Sequence, residues 1–282
     1  MILACALAAA AQTKATQTKA TQAAAPPTVV DPAMLWQSLI QGGIRAAAAK
    51  DFATTEELML KALKVTQTFP PGDPRTGTTF NTLGLVYREE KKYGDAEKAF
   101  GQALGILQKA YGPDSLDVGN VNFNIASVLL VQGHFEEALP YIEKSRTVYD
   151  KVLGPASLKA ASTLCMVGVA YRNLKKFNEA EAPLKQCADA RETSGGVDNA
   201  ELADALYNLA LVYQHQGKYA LADTRLKLAE KIRERTYGVT SPEFAEALEA
   251  HAALLKLMGR DQEAKRDETM AAAVRSRENK QK

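Results

Sequence analysis

Residues 83–87 read Leu83-Gly84-Leu85-Val86-Tyr87, and a block of the same kind returns after each further 42 residues, four times in all. The second position of every block is small: Gly84, Ala126, Gly168, Ala210 and Ala252. A small residue at a fixed position predicts helices that cross at close range, because a larger side chain would hold them apart. No insertion interrupts the period.

An aromatic residue and an alanine follow the blocks at the same interval. The aromatics are Tyr93, Phe135, Phe177 and Tyr219, and the alanines are Ala96, Ala138, Ala180 and Ala222. A constant period of this length is typical of chains built from stacked copies of one supersecondary unit. Such arrays offer extended surfaces for binding, so the pattern favours an interaction protein.

Each unit is predicted to consist of a helix, a short turn, a second helix and a loop. Apolar spacing of i, i+3, i+4 and i+7 marks the first helix, with Phe80, Leu83, Gly84 and Tyr87 on one face. A second apolar stripe runs through residues 96–107, and turn residues at 111–115 end it. Six such helical pairs are expected, the first of them degenerate.

The pattern resembles the tetratricopeptide repeat. The residues that match it most fully are Leu83, Gly84, Tyr87, Ala96, Phe100 and Ala103. The longer period, the Tyr-Gly-x-x-Ser type loops at 111–115 and 237–241 and the Glu-Ala-x-Pro stretch at 137–140 resemble the kinesin light chain subgroup. This resemblance implies an all-α, right-handed superhelical solenoid of helix-turn-helix repeats, in which first helices line a concave groove for partner peptides.

The chain is predicted to have four segments. They are an Ala-rich leader with a disordered tether at 1–30, a degenerate helical pair at 31–74, the repeat array at 75–269 and a basic tail at 270–282. The leader lacks a basic stretch before its apolar run. Two interpretations stay open: a truncated signal peptide, which slightly favours a periplasmic or secreted protein, and an Ala-rich tail on a cytoplasmic one. Asp261 and Glu268 replace apolar repeat residues and predict a polar C-terminal cap.

The composition argues against nucleic acid and membrane partners. The chain has 35 basic and 33 acidic residues and a formal charge of +2, so no overall field draws it to anionic polymers or lipid. The apolar run at 1–11 is too short to span a bilayer. We therefore expect no nucleic acid and no membrane span, and any charged recognition must be local.

No enzymatic site is predicted. The three histidines, His134, His215 and His251, share no ligand spacing, and the glycine-rich phosphate loops and the nucleophile elbow are missing from the sequence. Paired carboxylates such as Glu136 and Glu137 are typical of solvated helix faces. We expect no catalytic residue, no metal site and no cofactor.

The side chains expected to face a partner flank the Leu-Gly block. They are Asn81, Thr82, Arg88, Phe123, Asn124, Ser127, Arg172, Tyr207, Asn208, Gln214 and His215. Asparagine amides bond a peptide backbone whatever its sequence, and arginine holds a carboxylate through two N–H groups. Kinesin light chains use groove asparagines in this manner, so the resemblance implies that role for Asn81, Asn124 and Asn208. The alternative interpretation is a set of solvated polar positions.

The predicted function is a non-enzymatic scaffold that binds a peptide segment of an unidentified protein partner in the groove of the repeat array. The alternative is a structural subunit of a larger, exported assembly that packs through the ends or edges of the array.

Cys165 and Cys187 are predicted to lie level on neighbouring helices without being bridged. Cys165 follows the core residue Leu164 and is expected to point toward the groove, whereas Cys187 occupies a small-residue position between helices. A disulfide needs converging Cβ vectors, which these two placements do not supply.

Overall fold

The structure is a computed structural model that describes residues 31–195 and 200–281, with side chains for 31–193 and 200–277. Within those ranges every regular element is an α-helix and no strand occurs. The twelve helices found there equal the number that six helical pairs require. The all-α prediction is therefore confirmed, while the leader predicted at 1–30 lies outside the described residues.

The helices follow one another with short connections. They are α1 (Pro32–Ala48), α2 (Phe52–Thr66), α3 (Pro74–Glu89), α4 (Tyr93–Tyr111), α5 (Leu116–Gln132), α6 (Phe135–Leu153), α7 (Leu158–Asn173), α8 (Phe177–Gly195), α9 (Ala200–His215), α10 (Tyr219–Tyr237), α11 (Pro242–Leu257) and α12 (Asp261–Gln281). The aromatic of each repeat opens the second helix of its pair, as at Phe177 and Tyr219.

The chain forms two compact units, the first ending at Gln132 and the second beginning at Gly133. In the first unit α1 packs on α2, α2 on α3, α3 on α4 and α4 on α5. Trp36 of α1, Met59 of α2 and Leu83 of α3 share one buried cluster. The Trp36 indole also donates a hydrogen bond of 2.9 Å to the hydroxyl of Thr79. The degenerate first pair is thus joined to the first well-formed repeat by apolar packing and a buried hydrogen bond.

The second unit continues with the same arrangement. Here α6 packs on α7, and the hairpins α7/α8, α9/α10 and α11/α12 pack on one another in sequence order. One core cluster contains Leu184 of α8, Leu209 of α9, Leu226 of α10 and Leu254 of α11. Because each hairpin buries its apolar face only against its neighbours, the core is a series of interfaces along the chain.

The small residue of each Leu-Gly block lies against the large apolar residue of the paired helix. A Cβ atom added to Gly84 would lie 2.5 Å from the ring of Phe100, and one added to Gly168 would collide with Leu184. The same contact occurs in the degenerate pair, where Gly43 faces Met59. Gly43 therefore has the role that the sequence assigns to the Leu-Gly glycine, displaced by one residue.

The Tyr-Gly-x-x-Ser loops end one helix and begin the next. Gly112 and Gly238 have φ angles of +83° and +86°, in the left-handed region that glycine adopts without steric cost. The Ser241 hydroxyl then accepts a hydrogen bond of 3.1 Å from the amide of Phe244 and caps α11. The motif is a helix stop followed by a helix start.

The prediction that Cys165 and Cys187 are unbridged is wrong. The two residues form a disulfide between α7 and α8, with their Cα atoms 5.4 Å apart. Cys165 is half-buried against the same apolar cluster that contains Cys187. The face of α7 that contacts α8 is wider than the core position Leu164 alone, so its neighbour Cys165 also reaches the interface.

The last helix closes the second unit. Ala264 and Ala271 of α12 are buried, whereas Asp261 and Glu268 are exposed, so the outer face of this helix is polar. The helix runs on through residue 270, where the sequence places the start of a tail, and Val274 packs near Phe244. Across the part of the chain that the structure describes, no helix combines the length and apolar character needed to cross a membrane.

Candidate functional site

Four of the predicted partner-binding residues meet on the first helices of the first unit. The Asn124 amide of α5 donates a hydrogen bond of 2.9 Å to the Asn81 side-chain oxygen of α3. The Ser127 hydroxyl donates to the Asn124 carbonyl at 2.8 Å, and the Arg88 guanidinium donates to the Ser127 hydroxyl at 3.4 Å. We call these four residues, Asn81, Arg88, Asn124 and Ser127, the α3/α5 strip.

Arg88 already holds a carboxylate. Its Nε and one terminal nitrogen donate to a single oxygen of Glu89, at 3.2 and 2.7 Å. The Arg88 side chain is only 14% exposed, while that of Glu89 is 37% exposed. A partner carboxylate would therefore have to displace Glu89, which is the more exposed member of the pair.

The α3/α5 strip keeps unused hydrogen-bonding capacity at one end. Asn81 is half-buried, and nothing in the described part of the chain accepts a hydrogen bond from its Nδ2 group. Asn124 is 5% exposed and acts mainly by orienting Asn81. An asparagine whose oxygen is held in place presents its two N–H groups in a defined direction, which suits a peptide carbonyl.

Two other predicted residues of this unit are placed differently. Thr82 is 3% exposed, and its hydroxyl donates to the Thr78 carbonyl one turn earlier. It therefore offers no surface to a partner. Phe123, one residue before Asn124, is half-buried and keeps part of its ring accessible beside the α3/α5 strip.

In the second unit Arg172 of α7 and Tyr207 of α9 lie in one charged cluster. Burial lowers the pKa of Arg172, and nearby Tyr207 and Glu246 partly offset this effect. Burial together with the Glu246 carboxylate raises the pKa of Tyr207 to about 12, so its hydroxyl stays protonated at neutral pH. The cluster thus contains one polar hydroxyl and charged groups of both signs.

Sequence reasoning missed the centre of this cluster, the buried Arg233 of α10. Its guanidinium lies over the Tyr207 ring at 4.5 Å and donates to Asp204 and Glu246 at 2.9 and 3.1 Å. It also donates to the Glu243 carbonyl at 2.9 Å. Arg233 belongs to a second helix, where the repeat pattern predicts no surface role, and its one mark in the sequence is a charge at the position that Leu107 and Tyr149 occupy in earlier repeats.

The three remaining predicted residues all lie on α9, and each has a different environment. The Asn208 amide donates to the Asp204 carbonyl of its own helix at 2.7 Å. His215 stacks on Phe177 with ring centroids 4.2 Å apart, so it lies beside the aromatic that opens α8. The Gln214 side-chain oxygen is buried and accepts no hydrogen bond from the residues in view. Of these three residues, only Gln214 has a buried polar atom that lacks a hydrogen-bond partner among the described residues.

A sequence profile described as tetratricopeptide repeat matches residues 41–109, 76–142, 117–193 and 201–277. The chain belongs to the tetratricopeptide repeat family. The matched ranges together take in both units and nearly all of the predicted array, so the resemblance read from the Leu-Gly blocks is confirmed.

Among curated proteins, this tetratricopeptide repeat chain is similar to the Clustered mitochondria protein homolog of Debaryomyces hansenii. The two are 25% identical over 144 residues, which is 49% of this chain and 11% of that protein. The chain thus spans about a tenth of the length of this curated relative.

Two solved structures show the same fold. BtubC (BKLC) from P. vanneervenii is 23% identical, with a TM-score of 0.63 over 73% of this chain and 82% of that one. A kinesin light chain-type protein of Podosopora anserina with nearly identical repeats is 17% identical, with a TM-score of 0.61 over 73% and 97%. At these identities the likeness concerns fold alone, and it agrees with the kinesin light chain-like repeat length.

Tetratricopeptide repeat proteins are generally scaffolds for protein–protein interaction, and family membership supports that coarse function here. The fold by itself names no partner, because the same repeat serves many unrelated proteins. Any finer assignment must come from the side chains on the first helices.

Proposed function

We propose that this chain is a non-enzymatic adaptor that holds an extended peptide segment of a protein partner against its first helices. The observation that carries the proposal is the α3/α5 strip, in which Asn81 is oriented by Asn124 and keeps free donors. Ordering these side chains before binding reduces the entropy lost when a peptide is captured.

Each member of the strip suits a different part of a peptide. Asn81 can donate to a backbone carbonyl, which gives affinity without reading the sequence. The half-buried ring of Phe123 offers an apolar contact for a side chain of the peptide. Arg88 can exchange Glu89 for an acidic group of the peptide, because a planar guanidinium binds any carboxylate in the same two-point geometry.

The preferred ligand is therefore an extended segment with an acidic residue near an apolar one. In the second unit, the half-buried Arg172 supplies a comparable donor for carboxylates. We propose Arg172 as an additional contact for a second stretch of partner.

A phage-displayed library of random 12-residue peptides tests the proposal against the purified full chain. Selected peptides are expected to be enriched in acidic residues. The double variant Asn81→Ala/Arg88→Gln should bind them about tenfold more weakly or worse, since each lost hydrogen bond contributes about 1 kcal/mol and 1.4 kcal/mol is a factor of ten. Isothermal titration calorimetry measures the change.

Gln102→Ala/Arg45→Gln is the matched control, because both residues are exposed in the same unit and lie away from the strip. It should bind the peptides as the parent chain does. Equal affinity of the parent and the strip variant would overturn the proposal. Failure of every selection, together with self-association in light scattering, would instead favour the structural-subunit alternative.

A further inference from the structure

A buried histidine and two carboxylates from three different helices converge in the second unit. Nδ1 of His251 in α11 lies 2.8 Å from Oε1 of Glu230 in α10 and 2.9 Å from Oδ2 of Asp267 in α12. All three atoms lie within 4.8 Å of one another. Sequence spacing does not reveal this convergence, because the three residues are far apart along the chain and meet only through helix packing.

The three atoms face one another without a hydrogen bond. His251 is 4% exposed, and its Nδ1, the Glu230 Oε1 and the Asp267 Oδ2 are all buried atoms that lack a hydrogen-bond partner among the described residues. At separations of 2.8 and 2.9 Å, this means that neither oxygen lies along the direction in which Nδ1 would donate. Buried polar atoms left in this state are costly unless another species joins them.

The other ring nitrogen shows how His251 is held. Nε2 lies 3.1 Å from Oδ1 of Asp223, which in turn accepts from Arg260 at 2.8 Å, while its second oxygen accepts from Lys227 at 2.7 Å. Burial alone would raise the pKa of Asp223, but these donors outweigh it and lower the pKa to about 2. An ionised Asp223 favours the ring proton on Nε2, which leaves a lone pair on Nδ1 that is aimed at neither the Glu230 nor the Asp267 oxygen.

We propose that Glu230, His251 and Asp267 form a binding site for one divalent transition-metal ion of the Zn²⁺ type, with Asp223 orienting the histidine. Ligand atoms lie about 2.0–2.2 Å from Zn²⁺. Two ligands of a tetrahedral ion are then about 3.4 Å apart and two ligands at right angles about 3 Å apart, so the two oxygens need to move from Nδ1 by no more than about 0.6 Å to admit an ion. An ion bound to all three atoms would lie along the lone-pair direction of His251 Nδ1. The Glu230 and Asp267 oxygens would then lie off that direction, as they do here.

The donor set and the surroundings fit this class of ion. Imidazole nitrogen favours Zn²⁺, Ni²⁺, Cu²⁺ and Fe²⁺ over Mg²⁺ and Ca²⁺, which prefer oxygen ligands alone. Two carboxylates neutralise the charge of a divalent ion in a partly buried site. A histidine whose second nitrogen donates to a carboxylate is also the usual outer arrangement of protein zinc sites. An ion here would fasten α10, α11 and α12 together at the last hairpin.

A proton on Nδ1 is the competing occupant. Burial would lower the pKa of His251, but the carboxylates of Glu230, Asp223 and Asp267 outweigh it and raise the pKa to about 8. Such a proton would not point along either short contact, whereas an ion would bind all three atoms at once. The two occupants are separated by measuring bound metal directly.

The test uses the full chain, treated with a chelator and dialysed against micromolar Zn²⁺. Metal analysis should find about one Zn²⁺ per chain, and the melting temperature should rise with Zn²⁺ concentration, as it does for any ligand that binds only the folded state. Glu230→Gln/Asp267→Asn should lose both the bound ion and the Zn²⁺-dependent shift. Asp223→Asn should weaken Zn²⁺ binding about 10- to 100-fold.

Glu234→Gln/Glu268→Gln is the matched control, since it removes two exposed carboxylates from the same two helices, α10 and α12. This variant should bind Zn²⁺ as the parent does. A parent chain that retains no Zn²⁺ would overturn the site and leave the proton as its occupant. Retention of the ion by Glu230→Gln/Asp267→Asn would overturn it equally, because the metal would then be bound elsewhere.

Discussion

Gly84 and Phe100 face each other across the α3/α4 hairpin more closely than any side chain at position 84 would permit. The glycine is therefore a packing requirement, although glycine is a poor helix former. Asn81 and Arg88 of the α3/α5 strip lie three residues before and four residues after Gly84, so they are its neighbours along the surface of α3. At the scale of single residues, the core contact and the candidate site therefore adjoin each other.

Gly84→Ala should destabilise the chain. The added methyl group must displace the Phe100 ring, which costs about 1–3 kcal/mol, against a gain of about 1 kcal/mol in helix propensity. Gly101→Ala in α4 is the matched control, because a Cβ there meets nothing within 4 Å. That control should stabilise the helix by up to about 1 kcal/mol. Urea unfolding measures both changes, and equal effects at the two positions would contradict the packing argument.

At the scale of elements, the α7/α8 hairpin differs from the others in being covalently closed. Cys165 and Cys187 bridge its two helices near their middles, where the other repeats rely on apolar contacts and small residues alone. Disulfides of this kind persist in oxidising compartments and are rare in reducing ones.

Reduction of the disulfide should lower stability. The bonded residues are 22 positions apart, and closing a loop of that size restricts the unfolded chain by about 3 kcal/mol. We expect a reducing agent to lower the melting temperature of the parent chain. Cys165→Ala/Cys187→Ala should melt at the lower temperature in both conditions, since it lacks the bond and alanine already occupies the positions equivalent to Cys187, at Ala103 and Ala229. An unchanged melting temperature of the parent chain in the presence of the reducing agent would contradict this prediction.

For the whole molecule, the terminal hairpin α11/α12 supplies the polar end of the array. Leu254 of α11 packs in one cluster with Leu209 and Leu226, so the last hairpin covers the apolar faces of α9 and α10. The outer side of α12 carries exposed charges such as Asp261 and Glu268. Repeat arrays need such polar ends to stay soluble, because an inner repeat exposes the face that its neighbour would bury.

Deletion of residues 242–282 should therefore expose an apolar surface and promote association. We expect light scattering to show larger species and the melting temperature to fall. A soluble monomer with unchanged stability would contradict the capping role.

Much of the candidate site could be read from the sequence. Asn81, Asn124, Arg88 and Ser127 were predicted on one surface because helical spacing and the 42-residue period fix which positions share a face. Thr82 was predicted to face a partner but is buried, as is Asn124 at the equivalent position of the next repeat. Arg233 was missed since its partners come from other helices.

The sequence by itself predicted an all-α repeat chain, because the fixed period and the small residue at each crossing point indicate closely packed helical hairpins, and the resemblance of the Leu-Gly blocks pointed to the tetratricopeptide repeat family. The tertiary structure alone decided that Cys165 meets Cys187 and that Glu230, His251 and Asp267 converge. Which side chains meet between helices depends on how far each helix is rotated and how closely it approaches its neighbour. Those quantities arise from all the packed side chains together, and no local pattern contains them.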